Sequence, residues 1–281
     1  MSTPSAPNRS VTVDGFTLTI DAIDSLGLGA GAAFEPEILA ALRRWVKAGD
    51  TVVDIGANIG YFTAHMARLV GAAGVVHAFE PEPSNCALLV ANMRANGLGQ
   101  VQVHAAALGA HAGTATLYTS EHNGGMHRLY DSVCCTGQAV EVPVQRLDEV
   151  LADMRIDLIK IDVEGYEPAA LQGAQGCLGA NPALKIITEY GPASMLEAGG
   201  QPRELLVALH ALGLRPHALV GREIDLDEML RDAQRYQAYG RASFVAACQG
   251  KTTPQILEVI VALAAELGCT RPVIENLLFM R

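Results

Sequence analysis

The sequence predicts an α/β protein built on a Rossmann-like, doubly wound sheet that is mostly parallel. Short apolar runs alternate with longer amphipathic stretches from Asp50 onward, the rhythm of βαβ units with right-handed crossovers. The first run, Thr51-Val52-Val53-Asp54-Ile55, passes directly into Gly56-Ala57-Asn58-Ile59-Gly60, a glycine turn that opens a helix. The second, at 75–79, closes on Glu80-Pro81, so carboxylates stand at successive strand ends, where open α/β sheets bind ligands.

Taken in order, residues 1–10 are polar and read as a tail. Residues 11–20 alternate around Asp14-Gly15, the mark of a small hairpin outside the main sheet. Residues 24–33 are glycine-rich and read as a loop or lid. Phe34-Glu35-Pro36-Glu37 opens a helix through Val46, with acids where the helix dipole favours them. Strands at 51–55, 75–79 and 101–105 alternate with helices at 60–70 and 83–96. Ser84 suits the second helix's N-cap and Asn96-Gly97 its stop. The rhythm breaks at 113–144, which reads as two strands flanking a loop of about 20 residues, a length uncommon without a function.

A helix at 147–154 and a strand at 158–161 ending in Asp162 follow, then a helix at 167–175 with Pro168 in its first turn. A strand at 184–188 ends in Glu189, and a helix at 202–212 stops at Gly213. Residues 215–220 and 243–247 read as the last two strands. Ile256, Val259, Ile260, Leu263 and Leu267 share one helical face, packed on the core or against a second subunit as a homodimer. Arg271-Pro272 ends that helix, and 273–280 is a further apolar piece. The divisions expected are a tail and β element at 1–33, a main domain at 34–250 and a helical C-terminal appendage at 251–281.

Composition excludes several classes. With half its 281 residues hydrophobic and 18% charged, the chain can bury a sizeable core, and global disorder is excluded. A net charge of −10 and no basic cluster argue against nucleic acid and against an anionic membrane surface. Six cysteines include no Cys-x-x-Cys pair, so structural zinc has little support. No signal-peptide core precedes residue 11, and the run at 256–267 is too short for a bilayer. A cytoplasmic location is expected.

The strand ends narrow the ligand. Glu80 can accept both hydroxyls of a ribose. Asn58 stands where a dinucleotide fingerprint would place a further glycine, which disfavours a pyrophosphate. An acid just before the glycines suits a ligand with an ammonium group. S-adenosylmethionine has one, together with a ribose diol and a sulfonium.

Asp54-Ile-Gly-Ala-Asn-Ile-Gly60 with Tyr61-Phe-Thr63 resembles the first motif of the FkbM family of S-adenosylmethionine-dependent methyltransferases. Ala78-Phe79-Glu80-Pro81 resembles its second. Asn96-Gly97-Leu98 with Ala105-Ala106-Ala107-Leu108-Gly109 resembles its third, and Asp157-Leu-Ile-Lys160-Ile-Asp162-Val-Glu164-Gly165-Tyr-Glu167 its most distinctive one. The resemblance implies a class I methyltransferase fold with an antiparallel last strand, and O-methylation of a small molecule. It implies that Asp54, Gly56, Asn58, Gly60, Glu80, Pro81 and Asp162 hold the cofactor, with Ala106 and Asn96 near adenine. Glu35 either closes that pocket or simply starts its helix.

Asp162 and Glu189 are expected to face the same crevice, orienting the acceptor, taking its proton or holding Mg2+; the metal is the less favoured reading. Glu164 and Glu167 can instead satisfy amides at the next helix start. His127, in the long loop, has the right pKa for a general base, or is an idle surface histidine. Arg128 could pair with an acidic acceptor. The acceptor expected is a hydroxyl of a natural product or sugar, ahead of a carboxyl. A nicotinamide oxidoreductase and a non-catalytic binding module are the rival readings.

Overall fold

A computed structural model describes residues 9–271 and 274–281. The tail expected at 1–10 therefore lies outside the described residues up to position 8, as do Pro272 and Val273 of the expected helix stop and apolar piece.

β1 (Arg9–Val13) and β2 (Phe16–Ile20) form the N-terminal hairpin, and Asp14 and Gly15 supply its turn at φ 51° and 76°. α1 (Pro36–Trp45) then leads into β3 (Thr51–Ile55), α2 (Tyr61–Val70), β4 (Val75–Phe79), α3 (Pro83–Ala95) and β5 (Val101–His104). α3 is capped by Glu82, whose carboxylate accepts from the Asn85 amide at 2.6 Å. Pro83 takes the first helical position, so Ser84 lies inside the first turn rather than at the cap. β6 (Ala107–Leu108), β7 (Gly113–Tyr118) and β8 (Ala139–Gln145) make a separate three-stranded sheet, with residues 119–138 as the connecting loop.

One turn of helix, α4 (Leu147–Val150), precedes β9 (Leu158–Ile161). The helix expected at 167–175 is two short ones, α5 (Glu167–Gln172) and α6 (Gln175–Ala180). β10 (Lys185–Tyr190), α7 (Pro192–Glu197), α8 (Pro202–Ala211) and β11 (Arg215–Ala218) follow. α9 (Leu226–Tyr239), α10 (Arg241–Cys248), α11 (Thr253–Glu266) and β12 (Glu275–Met280) complete the described chain.

The central sheet runs β11-β12-β10-β9-β3-β4-β5. β3 is parallel to both β4 and β9, so the strand order reverses between β3 and β9 and opens a crevice at their carboxyl ends. Only β12 runs antiparallel, between β10 and β11. Side chains alternate between two buried faces. Val52, Val76, Leu158, Ile187 and Leu278 pack with α1, α2 and α3 on one side. Val53, Phe79, Ile159, Ile186 and Leu277 pack under the later helices on the other. Unbroken apolar runs are what a sheet covered on both faces requires.

Two sequence expectations are corrected here. Residues 243–247 are helical, within α10, because Phe244 and Cys248 bury one face at i, i+4 spacing. The last strand is β12, which lies in the sheet rather than in an appendage at 251–281. α11 itself packs on the body of the molecule through Ile256, Ile260 and Leu263, against Leu196, Tyr236 and Phe244. Among the described residues, no helix is long and apolar enough to cross a membrane.

Candidate active site

A cleft opens over the carboxyl ends of β3, β4, β9 and β10. Of the residues expected from sequence, Glu35, Gly56, Asn58, Glu80, Pro81, Ala106, His127, Asp162 and Glu189 all line it.

The β3–α2 turn shapes one end. Gly56 has φ 81°, and any side chain there would strike the Asp162 carbonyl oxygen, so glycine lets the ends of β3 and β9 meet. Asn58 adopts φ 50°, and its amide donates to Glu80 Oε2 at 2.8 Å. The Glu82 amide donates to Glu80 Oε1 at 2.8 Å. Burial pushes the Glu80 carboxyl up to about 7 against the pull of those two amides. A carboxylate has about four acceptor positions, so two remain for a diol on the cleft side. Glu35, Glu80, Asp162, Glu164 and Glu189 line the cleft with Lys160 as the lining cation among the described residues. That excess of acid fits a ligand carrying net positive charge, as a sulfonium with an amino-acid end does.

Three expected cofactor residues do not reach the cleft. Gly60, at φ 90°, starts α2 and packs against Leu89 and Met93 of α3. Asp54 lies on the α2 face of β3, fully buried. Its Oδ2 accepts from Thr63 Oγ1 at 2.6 Å, and its Oδ1 lies 3.8 Å from Lys160 Nζ. Asp54 meets the cleft only through that lysine. Asn96 faces the hairpin, accepting from the Thr17 amide at 2.9 Å and donating to the Thr17 carbonyl at 2.7 Å. It mimics a neighbouring strand and is a structural clamp, not an adenine contact.

The other end is crowded with charge. Lys160 Nζ lies 3.2 Å from Asp162 Oδ2 and over the Phe62 ring at 4.9 Å. Asp162 and Asp54 hold this buried ammonium in its charged form. Glu164 pairs with Arg128 of the long loop. Burial first, then Glu164, Asp162 and Glu167, push the Glu189 carboxyl well above its ordinary range, while Arg128 opposes them. Glu35 is raised to about 7 by burial and by Asp162. Glu167 turns back onto the amides of Gly165 at 2.9 Å and Val163 at 3.1 Å, closing the turn before α5, which is its structural reading.

His127 lines the cleft but is turned the wrong way for a base. Its Nδ1 accepts from the Ser120 amide at 3.0 Å, which leaves the ring proton on Nε2. Burial lowers its pKa, so the ring is neutral with its acceptor already occupied. The acids do not suit a divalent ion either. Asp162 and Glu164 each hold a cationic side chain, and no group of three or more His, Cys, Asp or Glu converges as ligands among the described residues.

The sequence did not single out Lys160, Ser25 or Asn85, all of which line the cleft. Lysine in an apolar strand was itself a signal, since a buried ammonium must be paired. Ser25 and Asn85 dock the long loop. The Gly124 amide donates to Ser25 Oγ at 2.6 Å, and its carbonyl accepts from Asn85 Nδ2 at 3.0 Å.

The chain is 30% identical over 143 residues to Methyltransferase 1 of Beauveria bassiana, an alignment covering 43% of this chain and 57% of that protein. It is 33% identical over 162 residues to 31-O-demethyl-FK506 methyltransferase FkbM of Streptomyces tacrolimicus, covering 46% and 61% respectively. The solved structure of an S-adenosylmethionine-dependent O-methyltransferase from Thermotoga maritima overlaps at a TM-score of 0.41 and 17% identity, over 75% of this chain and 66% of that one. The model of the methyltransferase FkbM domain matches residues 54–216, more than half of the sequence. The chain therefore belongs to the FkbM methyltransferase domain family.

Proposed function

We propose that this protein is an S-adenosylmethionine-dependent O-methyltransferase acting on a hydroxyl of a small molecule, a natural product or sugar, ahead of a carboxyl. One observation carries the reading: a single cleft joins a diol-accepting carboxyl, Glu80, to the Glu189 carboxyl, which no side-chain hydrogen bond reaches among the described residues. The relative from Streptomyces tacrolimicus is named for an O-demethylated compound, which supports a hydroxyl acceptor.

S-adenosylmethionine, when bound, supplies an electrophilic methyl group. Glu80 would accept the ribose hydroxyls, with the Gly56 and Asn58 backbone close on the same side. Pro81 and Ala106, which line the cleft, would border the base. Glu35 closes the amino-acid side and Lys160 fixes Asp162 beside it. A hydroxyl is a weak nucleophile until its proton leaves, so a base within hydrogen-bond reach is needed. Glu189, in its ionised form, takes that proton onto a carboxyl oxygen, its raised pKa making it the stronger base, and Asp162 orients the acceptor. Much of the remaining help is alignment of the reacting atoms. Six free cysteines fit a reducing, cytoplasmic location.

Calorimetry with S-adenosylhomocysteine against NAD tests the cofactor. Glu80→Ala should weaken S-adenosylhomocysteine binding by about 1–3 kcal/mol, the loss of hydrogen bonds to a buried carboxylate. Unchanged affinity would remove Glu80 from the site. Transfer of labelled methyl to a panel of hydroxylated acceptors tests the reaction.

A further inference from the structure

The long loop carries one buried cation to the acceptor end. Arg128 is 4% exposed, its guanidinium pairs with Glu164, and its Nε has no hydrogen-bond partner among the described residues. The backbone fixes its place. The Arg128 amide donates to the Tyr118 carbonyl at 2.9 Å, and the Tyr118 amide donates back at 2.8 Å. Two residues on, the Tyr130 hydroxyl donates to the Glu164 carbonyl at 2.8 Å. The loop therefore grips Glu164 by both side chain and backbone.

That grip falls on an unfavourable conformation. Glu164 holds φ 59°, a left-handed backbone uncommon for a residue with a long side chain. Its surroundings are also repulsive. Asp162, Glu164, Glu167 and Glu189 gather at the carboxyl ends of β9 and β10, and among the described residues Lys160 and Arg128 face them with opposite charge. Lys160 is already shared between Asp54 and Asp162. Arg128 is thus the cation left to neutralise Glu164, and it is not free to meet an anionic acceptor.

We infer that Arg128 is a positioning residue for the methyl acceptor: by occupying Glu164 in its left-handed turn, it reserves the Glu189 carboxyl for the incoming hydroxyl. The acceptor's part in this rests on the O-methyltransferase reading. The coupling of Arg128, Glu164 and Glu189 does not.

The test is a carbon NMR titration of the protein labelled at glutamate carboxyls, with signals assigned from Glu189→Gln and Glu164→Gln. In Arg128→Met the Glu189 midpoint should rise by about one pH unit or more, since an opposite charge nearby is lost. Amide exchange in residues 121–136 should speed by about tenfold. Affinity for S-adenosylhomocysteine should stay within about twofold, because the Glu80 end is untouched. Arg128→Lys should recover most of the Glu189 midpoint, keeping the charge without the planar fork. An unmoved Glu189 midpoint in folded Arg128→Met overturns the inference, and so does loss of S-adenosylhomocysteine binding, which would place Arg128 in the cofactor end. Should Arg128→Met not fold, Glu164→Gln reads the same coupling with the opposite sign. Its Glu189 midpoint should fall by about one pH unit, and no change overturns the inference. Wild-type protein that takes no S-adenosylhomocysteine would sink the methyltransferase reading while leaving the titration interpretable.

Discussion

Glu35 precedes α1 as its N-cap at φ 42° and ψ 67°, a backbone region that costs a side-chain-bearing residue about 1–3 kcal/mol. In return its carboxyl lines the cleft, where burial and Asp162 raise it to about 7. A group titrating near neutrality responds to a fixed charge placed beside it. S-adenosylmethionine brings a sulfonium and S-adenosylhomocysteine a neutral thioether. A cation favours the ionised carboxylate, so below pH 7 its binding must drive a proton off Glu35. The preference for S-adenosylmethionine should therefore grow as pH rises toward about 7 and level off above it, with proton release below 7 visible by calorimetry in buffers of different ionisation heat. Glu35→Gln should flatten the trend. Parallel pH curves for the two ligands in wild type would count against this.

Positions at strand ends were legible in the sequence because they follow from local chemistry: Gly56, Asn58, Glu80, Asp162 and Glu189 all reach the cleft. What was hidden depended on choices the local sequence leaves open. Asp54 is one residue from Ile55, and the strand's alternation turns one to α2 and the other to the cleft. Asn96 found its partner at Thr17, far off in sequence. The orientation of His127 follows from an amide seven residues before it, across a loop whose path the sequence does not reveal.

At the scale of elements, the repeating units from β3 to β9 were readable because each strand has its own apolar run and each helix its own stop. The C-terminal third was not. Ala242-Ser243-Phe244-Val245-Ala246-Ala247 is short and apolar enough for either strand or helix, and only its packing against Ile256 and Ile260 selects the helix. β12 draws its partners from β10 and β11, which no local signal names. The two readings differ in a measurable way. Leu278 is fully buried in the middle of the sheet, so Leu278→Ala should lower stability by about 2–5 kcal/mol in urea unfolding. Were residues 251–281 an appendage, the main transition would not move.

At the scale of the molecule, buried ionisable groups set how stability follows pH. Burial holds Glu35, Glu80 and Glu167 near 7 against an ordinary 4.5, so between those values the folded chain keeps protons the unfolded chain has lost. Their contribution is full below 4.5 and is lost as pH rises through about 7. His65 and His77, lowered by burial to about 4 from 6.5, act the other way, and stability rises across their window. The two effects oppose each other up to 6.5, and above it the carboxyls act alone. The thermal midpoint of the ligand-free protein should therefore decline from about pH 6.5 to about pH 8. A midpoint that climbs over that interval would show that these carboxyls are not buried as described.

The insertion of β12 also bears on how the chain is made. On the ribosome, β10 emerges with one side of its hydrogen-bonding ladder unfilled, and β11 has nothing to rest on until residues 275–280 clear the exit tunnel. For that interval the nascent chain carries an open, apolar edge, the kind of template that recruits other unfinished strands. Translation that stops short of β12 would leave that edge exposed for good, making it a substrate for chaperones and proteases rather than a slightly shorter enzyme.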